Sequence, residues 1–282
     1  MQFRDHVIEQ GVDGPPIVFI HGSYANPAAW KSMVSILSKD HRCLLLKLPG
    51  HAGTRRPGDF ERPSLAPEFE ILDWVIRERC GGLAHLVGHS FGGSIAMEYA
   101  LRRAATLRAL TLFEPVSFWI MKSAGDTASA GAFDRIIRAL RSDMAEKVPY
   151  ACGQIIDFWG GLGSFEGLPD SVKDGMSALE RDNLRHWEIG KMLEASDRAS
   201  DYRALSVSTH LVHGERSNPL AHRIIETLEA RIAGSEVSEI EGASHFLVTT
   251  HAEQCASEVL RRSRSVRHCG TSGSLSGQVA AK

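Results

Sequence analysis

The chain has 282 residues, of which 43% are hydrophobic and 23% are charged. This balance is typical of a water-soluble globular protein that buries a sizeable core, and the length suits one α/β core with an inserted subdomain. The 32 basic and 34 acidic residues nearly cancel and form no long run of one sign. The charge pattern of a nucleic-acid-binding or membrane-surface protein is therefore excluded, and a small-molecule substrate is the expected partner.

Neither end nor middle of the chain contains a targeting or membrane-spanning pattern. Residues 1–6 lack the basic start and apolar run of a secretory signal, and no stretch approaches the roughly 18 consecutive apolar residues that cross a bilayer. The five cysteines form no close pair and no metal-ligand spacing. We therefore expect a cytoplasmic protein with no integral membrane association, no disulfide framework and no metal site.

Six short apolar runs predict buried strands, because each is rich in branched or aromatic residues and is bounded by turn signals. They are 17–20, 44–46, 86–87, 110–113, 210–212 and 237–240. Helical periodicity predicts helices around 27–37, 67–79, 90–102, 220–232 and 252–262. This alternation is typical of a mostly parallel sheet flanked by crossover helices, an α/β fold.

The strand signal disappears between Pro115 and Arg203, where helical patterns with many aromatic residues take over. This change predicts a helical cap subdomain at 117–203, inserted into a core formed by 1–116 and 204–262. Beyond Ser263 the chain is rich in Ser, Gly and other small residues without periodicity. That composition predicts a disordered tail at 263–282.

The segment Gly88-His89-Ser90-Phe91-Gly92 joins a predicted strand to a predicted helix and matches the pattern GxSxG. The two glycines permit a sharp turn in which backbone and helix approach closely, and the turn presents Ser90 at the carboxyl end of the sheet. The helix start also offers free N–H groups and a favourable dipole. We predict that Ser90 is a nucleophile and that the N–H of Phe91 helps to bind an oxyanion.

Two further segments supply partners for such a nucleophile. The turn His21-Gly22-Ser23 follows the first predicted strand, so the N–H of Ser23 is a second oxyanion donor. A serine hydroxyl also requires a base. Of thirteen histidines, His245 lies in a loop of small residues after a late strand, and we predict that it takes the proton.

In their order along the chain, these motifs resemble those of the α/β-hydrolase superfamily. The resemblance rests on His21-Gly22, on 88–93, on His213-Gly214-Glu215 and on 242–245. It implies the α/β-hydrolase fold with an inserted helical cap, and a serine esterase with a nucleophile elbow, an oxyanion hole and a catalytic triad. The motifs are specific for the fold but not for a substrate.

One position departs from the family pattern. The superfamily usually places its acidic residue three positions after the Gly of the second His-Gly pair, where this chain has the neutral Ser217. Some members, including certain haloalkane dehalogenases, carry the acid where Glu114 stands, at the end of the strand after the nucleophile helix. Glu114 is therefore the predicted acid, and Glu215 or a merely structural ion pair of Glu114 stays open beside it.

Dehalogenases and epoxide hydrolases are themselves disfavoured, because both attack through Asp, and dehalogenases follow that Asp with Trp. This chain has Ser90 and Phe91 there. Closeness to the motifs places Phe91, Trp119 and Phe246 in the predicted substrate pocket, with the other cap aromatics forming the cap's own core.

The predicted activity is hydrolysis of a small or medium apolar carboxylic ester through an acyl-enzyme, without metal or organic cofactor. A second hypothesis is hydrolysis of a C–C bond in meta-cleavage dienoates. It is disfavoured because Tyr24-Ala25-Asn26 replaces the usual Gly-rich extension and because Ser217 replaces Asp. A ligand-binding protein and an acyltransferase with the same fold are the third and fourth hypotheses.

Overall fold

The computed structural model describes residues 3–195 and 198–269, and these contain a seven-stranded sheet. The strands are β1 (Val7–Gly11), β2 (Pro16–Ile20), β3 (Arg42–Leu46), β4 (Ala84–His89), β5 (Leu107–Phe113), β6 (Thr209–Gly214) and β7 (Glu236–Ile240). Their order across the sheet is β1-β3-β2-β4-β5-β6-β7, and only β1 runs antiparallel to its neighbour. The predicted mostly parallel α/β sheet is confirmed, and β1 is an additional edge strand.

Eleven α-helices are found among the described residues. They are α1 (Lys31–Leu37), α2 (Ala66–Arg79), α3 (Phe91–Arg103), α4 (Ile120–Ser123), α5 (Thr127–Ala145), α6 (Gly153–Gly160), α7 (Asp170–Ser177), α8 (Glu180–Ala195), α9 (Pro219–Glu229), α10 (Leu247–Thr250) and α11 (Ala252–Cys269). The five helices predicted from periodicity correspond to α1, α2, α3, α9 and α11.

Apolar side chains cover both faces of the sheet. Along β2, Ile17 and Phe19 belong to one hydrophobic cluster and Val18 and Ile20 to another, because successive residues of a strand point to opposite faces. All four are fully buried. Burial on both faces explains why these strands are continuous apolar runs in the sequence rather than alternating patterns.

Only helices lie between β5 and β6 in the part of this segment that the structure describes. The helices α4 to α8 all lie within 117–203, the range that the sequence predicts as a cap. Their aromatic side chains, among them Phe133, Trp159 and Trp187, belong to the same buried cluster as one face of the sheet. The helical insertion therefore packs directly on the core.

The last helix differs from the sequence prediction. The predicted disordered tail begins at 263, yet α11 continues to Cys269, and residues 270–282 lie outside the described residues. At this boundary Arg262 donates to the carbonyl of Thr209, and the hydroxyl of Ser263 lies 2.9 Å from Nδ1 of His85. These contacts attach the helix to the sheet at the point where its apolar periodicity ends.

The described helices lack the features that a bilayer requires. None of them combines the length and the apolar character that a membrane crossing needs. Within the described residues, the cysteines at 43, 80, 152 and 255 are buried and free.

Candidate active site

Ser90 occupies a sharp turn between β4 and α3, with φ of 56° and ψ of −126°. This is a strained conformation for a residue with a side chain. A Cβ on Gly88 would collide with the backbone of residues 92 and 93, and a Cβ on Gly92 would collide with the carbonyl oxygens of Ile20 and His21. Glycine is therefore required at both positions, and the turn places the Ser90 hydroxyl at the carboxyl end of the sheet.

The side chains of His245 and Glu114 complete a line of hydrogen bonds that ends at Ser90. His245 lies in the loop between β7 and α10, with its Nε2 3.1 Å from Oγ of Ser90. Its Nδ1 lies 2.7 Å from Oε2 of Glu114. The carboxylate, imidazole and hydroxyl thus have the spacing that transfers a proton from serine to histidine while an anion faces the far side of the ring.

Glu114 is a buried carboxylate whose second oxygen is also bonded. Its Oε1 accepts from the backbone N–H of Gly214 at 2.8 Å and from the hydroxyl of Ser217. Burial raises the pKa of Glu114, but the hydrogen bond and charge of His245, with the bonds from Ser217 and Gly214, outweigh it and lower the pKa below its usual value. Glu114 is therefore an anion at neutral pH.

The two residues that compete with Glu114 in the sequence have other contacts. Glu215 is exposed, and its Oε2 accepts from the backbone N–H of Gly242 at 2.7 Å, at the start of the loop that carries His245. Ser217 donates its hydroxyl to Glu114. The neutral residue at the usual acid position thus binds the carboxylate that comes from β5.

Two aromatic side chains hold His245 in position. Nε2 of His89 lies 2.8 Å from the carbonyl oxygen of His245, and burial lowers the pKa of His89 to about 3. His89 is therefore neutral and donates from Nε2. On the other side, Trp159 from α6 stacks on the His245 ring at 5.1 Å. The sequence contains no local signal for Trp159, because 86 positions separate it from His245 and only the tertiary packing of the cap brings the rings together.

The predicted oxyanion donors lie on two segments next to Ser90. Phe91 is the first residue of α3, so its N–H has no partner within the helix. The segment with Ser23 is equally close, because a Cβ on Gly22 would lie 3.0 Å from Cβ of Ser90 and 3.4 Å from its Oγ. The hydroxyl, the first turn of α3 and the loop after β2 therefore meet at one point.

Two histidines fix Ser23. Nε2 of His51 donates to the carbonyl oxygen of Ser23 at 2.5 Å, and Nδ1 of His186 lies 3.0 Å from the Ser23 hydroxyl. The ring of His186 stacks on Phe91 at 4.0 Å and on His51 at 5.5 Å. Burial lowers the pKa of His186 well below its usual value, so it is neutral. The sequence analysis missed both histidines, because neither belongs to a motif.

Helix α8, which carries His186, is held over the site by ion pairs of Arg185 and Asp182. Arg185 is almost fully buried and donates to Asp59 at 2.7 Å and to Glu68 at 2.7 Å. One turn earlier, Asp182 accepts from Arg56 at 2.9 Å. Arg56 is half exposed, whereas both side chains of the Arg185–Glu68 pair are buried. Because removing one partner of a buried pair is strongly destabilising, the Arg185 pair keeps α8 in a fixed position relative to Ser90.

A cavity of about 460 Å³ lies over Ser90 and His245. Its size is within the range of small-molecule sites. Apolar side chains form most of its wall, including Ile155, Ile156, Trp159, Val172, Met176 and Phe246. Among the described residues, none that lines the cavity is Asp, Glu, Lys or Arg. The site is therefore suited to an uncharged ligand.

Of the predicted pocket residues, Phe246 lines this cavity and Trp119 does not. The placement of Trp119 in the pocket is wrong. Its ring is buried, its indole N–H donates to the hydroxyl of Tyr202 at 2.8 Å, and Tyr202 in turn donates to Glu98 of α3 at 2.7 Å. Trp119 therefore attaches the start of the helical segment to the core. Phe91 is also absent from the wall, because its side chain packs against His186.

Sequence comparisons agree with this fold. Residues 17–258 match the model of the alpha/beta hydrolase family. The chain is 27% identical over 264 residues to the pimeloyl-[acyl-carrier protein] methyl ester esterase of Aeromonas salmonicida, with 88% of this chain and 94% of the relative covered. It is 24% identical over 262 residues to the monoacylglycerol lipase abhd6-B of Xenopus laevis, with 86% and 73% covered.

Solved structures of alpha/beta hydrolases show the same fold at low sequence identity. A putative alpha/beta hydrolase from Nostoc superposes with a TM-score of 0.72 at 15% identity, with 90% of this chain and 92% of that chain covered. A thermophilic esterase from Thermogutta terrifontis superposes with a TM-score of 0.69 at 18% identity, with 92% and 93% covered. From its family match, its sheet and its elbow at Ser90, the chain belongs to the alpha/beta hydrolase family and is a hydrolase.

Proposed function

We propose that this protein hydrolyses an uncharged carboxylic ester of small or medium size through an acyl-enzyme on Ser90. The observation that carries the proposal is the line of hydrogen bonds from Glu114 through His245 to Ser90 beneath an apolar cavity. The esterase and lipase names of the relatives support ester hydrolysis as the class of reaction.

In the first half of the reaction, Oγ of Ser90 attacks the ester carbonyl while Nε2 of His245 takes its proton. Glu114 keeps the proton on Nδ1 of His245 beforehand and stabilises the imidazolium that forms. The N–H groups of Ser23 and Phe91 bind the negative oxygen of the tetrahedral intermediate. The imidazolium then gives its proton to the leaving alkoxide, and the alcohol departs.

The second half repeats these steps with water as the nucleophile. His245 takes a proton from the water, which attacks the acyl carbonyl, and Ser90 leaves with that proton. The same two N–H groups bind the second oxyanion. The carboxylic acid leaves, and its negative charge is not favoured in a cavity without cationic side chains.

The contact of Glu114 with His245 argues against the hypothesis of a ligand-binding protein without turnover. The neutral Ser217 at the usual acid position is the reason to consider that hypothesis. A buried carboxylate with a lowered pKa reaches Nδ1 of His245 from the end of β5 instead, and this supports the catalytic proposal.

Labelling of the native protein with a fluorophosphonate tests the nucleophile, with p-nitrophenyl esters of two to eight acyl carbons as substrates. We expect one label on Ser90 and loss of at least about 10³-fold in kcat for Ser90→Ala. Ser257→Ala, at an exposed serine on α11, is the control and retains labelling and activity. An unlabelled native protein, or Ser90→Ala with ester hydrolysis equal to wild type, contradicts the proposal.

A further inference from the structure

We infer that the wall of the cavity formed by α8 contains a polar subsite, made of Asn183, Trp187 and Tyr24, that binds an uncharged amide group of the substrate. The three residues are called the α8 subsite below. The inference rests on the proposed function, because it names the class of ester that reaches Ser90: an N-acylated amino-acid ester.

Asn183 is the central observation. Its side chain is fully buried and borders the same cavity as Ser90 and His245. Neither the amide nitrogen nor the amide oxygen of Asn183 has a hydrogen-bond partner among the residues that the structure describes. Buried polar groups of this kind are nearly always paired in folded proteins, because an unpaired one loses its water without compensation. Because Asn183 lines the cavity, we take its partner to be a group that is bound there.

Trp187 and Tyr24 show the same feature. The indole N–H of Trp187 and the hydroxyl of Tyr24 are buried and lack a partner within the described residues, and both residues line the cavity. Asn183 and Trp187 are four positions apart on α8, so they lie on one face of the helix. Three polar side chains from two segments thus line one cavity whose wall is otherwise mainly apolar.

The fixed position of α8 explains why the side chains of Asn183 and Trp187 do not reorient to form hydrogen bonds elsewhere. Arg185, two positions after Asn183, forms a buried ion pair with Glu68, and Asp182, directly before Asn183, is paired with Arg56. His186 from the same turn contacts the Ser23 hydroxyl at 3.0 Å. The subsite is therefore built in advance, next to the loop that is proposed to bind the oxyanion.

The chemistry of the three side chains selects the ligand group. An Asn amide donates and accepts, an indole N–H only donates, and a phenol does either. A secondary amide is complementary, since its N–H pairs with Oδ1 of Asn183 and its carbonyl oxygen accepts from Nδ2 or from Trp187. A carboxylate or ammonium group does not fit, because no lining residue is Asp, Glu, Lys or Arg.

The position of the subsite limits the distance between amide and ester. Asn183 precedes His186 by one helical turn, about 4.5 Å along the axis, and His186 touches Ser23. The amide is therefore expected a few bonds from the ester carbonyl, and we assign it to the acyl part of the ester. This spacing corresponds to an N-acylated amino-acid ester with an apolar acyl chain in the remainder of the cavity.

Two methyl esters with acyl chains of equal length test the inference: methyl N-butanoylglycinate and methyl heptanoate. Rates are followed by acid release and divided by the rates of hydroxide hydrolysis, which removes the intrinsic difference in reactivity. We expect wild type to favour the amide ester by at least about 10-fold in kcat/KM. Asn183→Leu, which keeps the number and branching of the side-chain heavy atoms, lowers this preference by at least about 10-fold, and its kcat/KM for methyl heptanoate rises.

Two further variants separate the subsite from a general loss of packing. Trp187→Phe removes the indole N–H and lowers the preference for the amide ester by about 3-fold or more. Met192→Leu, at an exposed position of the same helix, keeps the wild-type preference. Wild-type hydrolysis of both esters with equal corrected kcat/KM overturns the inference and leaves the proposed function intact.

A binding measurement keeps the inference testable without turnover. Calorimetry with N-butanoylglycinamide, which has the amide but no ester, is carried out on Ser90→Ala and on Ser90→Ala with Asn183→Leu. We expect binding to the first protein and at least about 10-fold weaker binding to the second. Equal affinities overturn the subsite, whereas failure of fluorophosphonate labelling together with Asn183-dependent binding overturns only the proposed esterase.

Discussion

Replacement of Glu114 by Gln gives a sharp test of the proposed acid, because the surrounding donors dictate how the amide is oriented. In the protein, Oε1 of Glu114 accepts from the N–H of Gly214 and from the hydroxyl of Ser217. A Gln carbonyl oxygen satisfies both donors only if it takes this place. The Gln NH₂ group then faces Nδ1 of His245, where Oε2 of Glu114 now lies at 2.7 Å.

This orientation turns His245 into the wrong tautomer. Nδ1 must accept from the NH₂ group, so the single proton of the neutral ring moves to Nε2, which faces Oγ of Ser90. Nε2 then has no lone pair to take the serine proton. The wrong tautomer lowers kcat by about 10⁴ in a serine protease, which corresponds to about 5.5 kcal/mol of transition-state stabilisation at about 1.4 kcal/mol per factor of ten.

The assay is kcat and KM for a p-nitrophenyl ester at neutral pH, with thermal unfolding of each variant to verify folding. Glu114→Gln is expected to lose about 10³ to 10⁴ in kcat with little change in KM. Glu215→Gln is the matched control at an exposed carboxylate and should lose less than about 3-fold. A folded Glu114→Gln protein with kcat within 10-fold of wild type would refute the reasoning.

Two further perturbations follow from the same structure. Gly22→Ala places a Cβ 3.0 Å from Cβ of Ser90, so its kcat should fall by about 10- to 100-fold. Gly58→Ala is the control, because no atom lies near its Cβ position, and it should keep the wild-type kcat. Equal kcat values for the two variants would contradict the close approach of Gly22 to Ser90. Burial lowers the pKa of His85 from 6.5 to about 3. The side chain is therefore neutral in the folded protein at neutral pH and takes up a proton on unfolding below pH 6.5. The contribution of His85 to the free energy of unfolding is complete above pH 6.5 and is lost as the pH falls towards 3. The free energy of unfolding, measured with urea between pH 6 and 4, should therefore change less steeply with pH in His85→Gln than in wild type, by about 1.4 kcal/mol per pH unit. An unchanged slope would show that His85 is charged in the folded state.

The parts of the fold that follow local rules were predictable from the sequence. Buried parallel strands are short apolar runs, and the glycines at 88 and 92 mark the turn at Ser90 because only glycine fits there. Strand β1 was missed since most of its side chains are exposed and it pairs at the edge of the sheet. Its stability comes from pairing with β3, which leaves no apolar pattern in the sequence.

The cap and its pocket were less predictable, because the direction of a helical side chain there depends on tertiary packing. Trp119 and Trp159 are both aromatic residues of the inserted segment, yet the first donates to Tyr202 in the core and the second stacks on His245. Asn183 has no feature in the sequence that distinguishes it from a surface amide. Asn183 is buried beside the cavity because the ion pairs of Arg185 hold α8 against the core, and this contact is visible only in the structure.

From the sequence, the proposed acid could be narrowed to Glu114 and Glu215. The sheet explains why the end of β5 can carry the proposed acid as well as the end of β6. The two strands are parallel neighbours, with Phe113 paired to Val212, so the residues that follow them leave the sheet side by side. A carboxylate from either strand end therefore reaches the same space beside Nδ1 of His245. Glu114 fills that space, and Ser217, at the position usual for the acid, becomes its hydrogen-bond donor. What the chemistry requires is a negative charge at one location, and the topology of adjacent strands allows the chain to deliver it from two places.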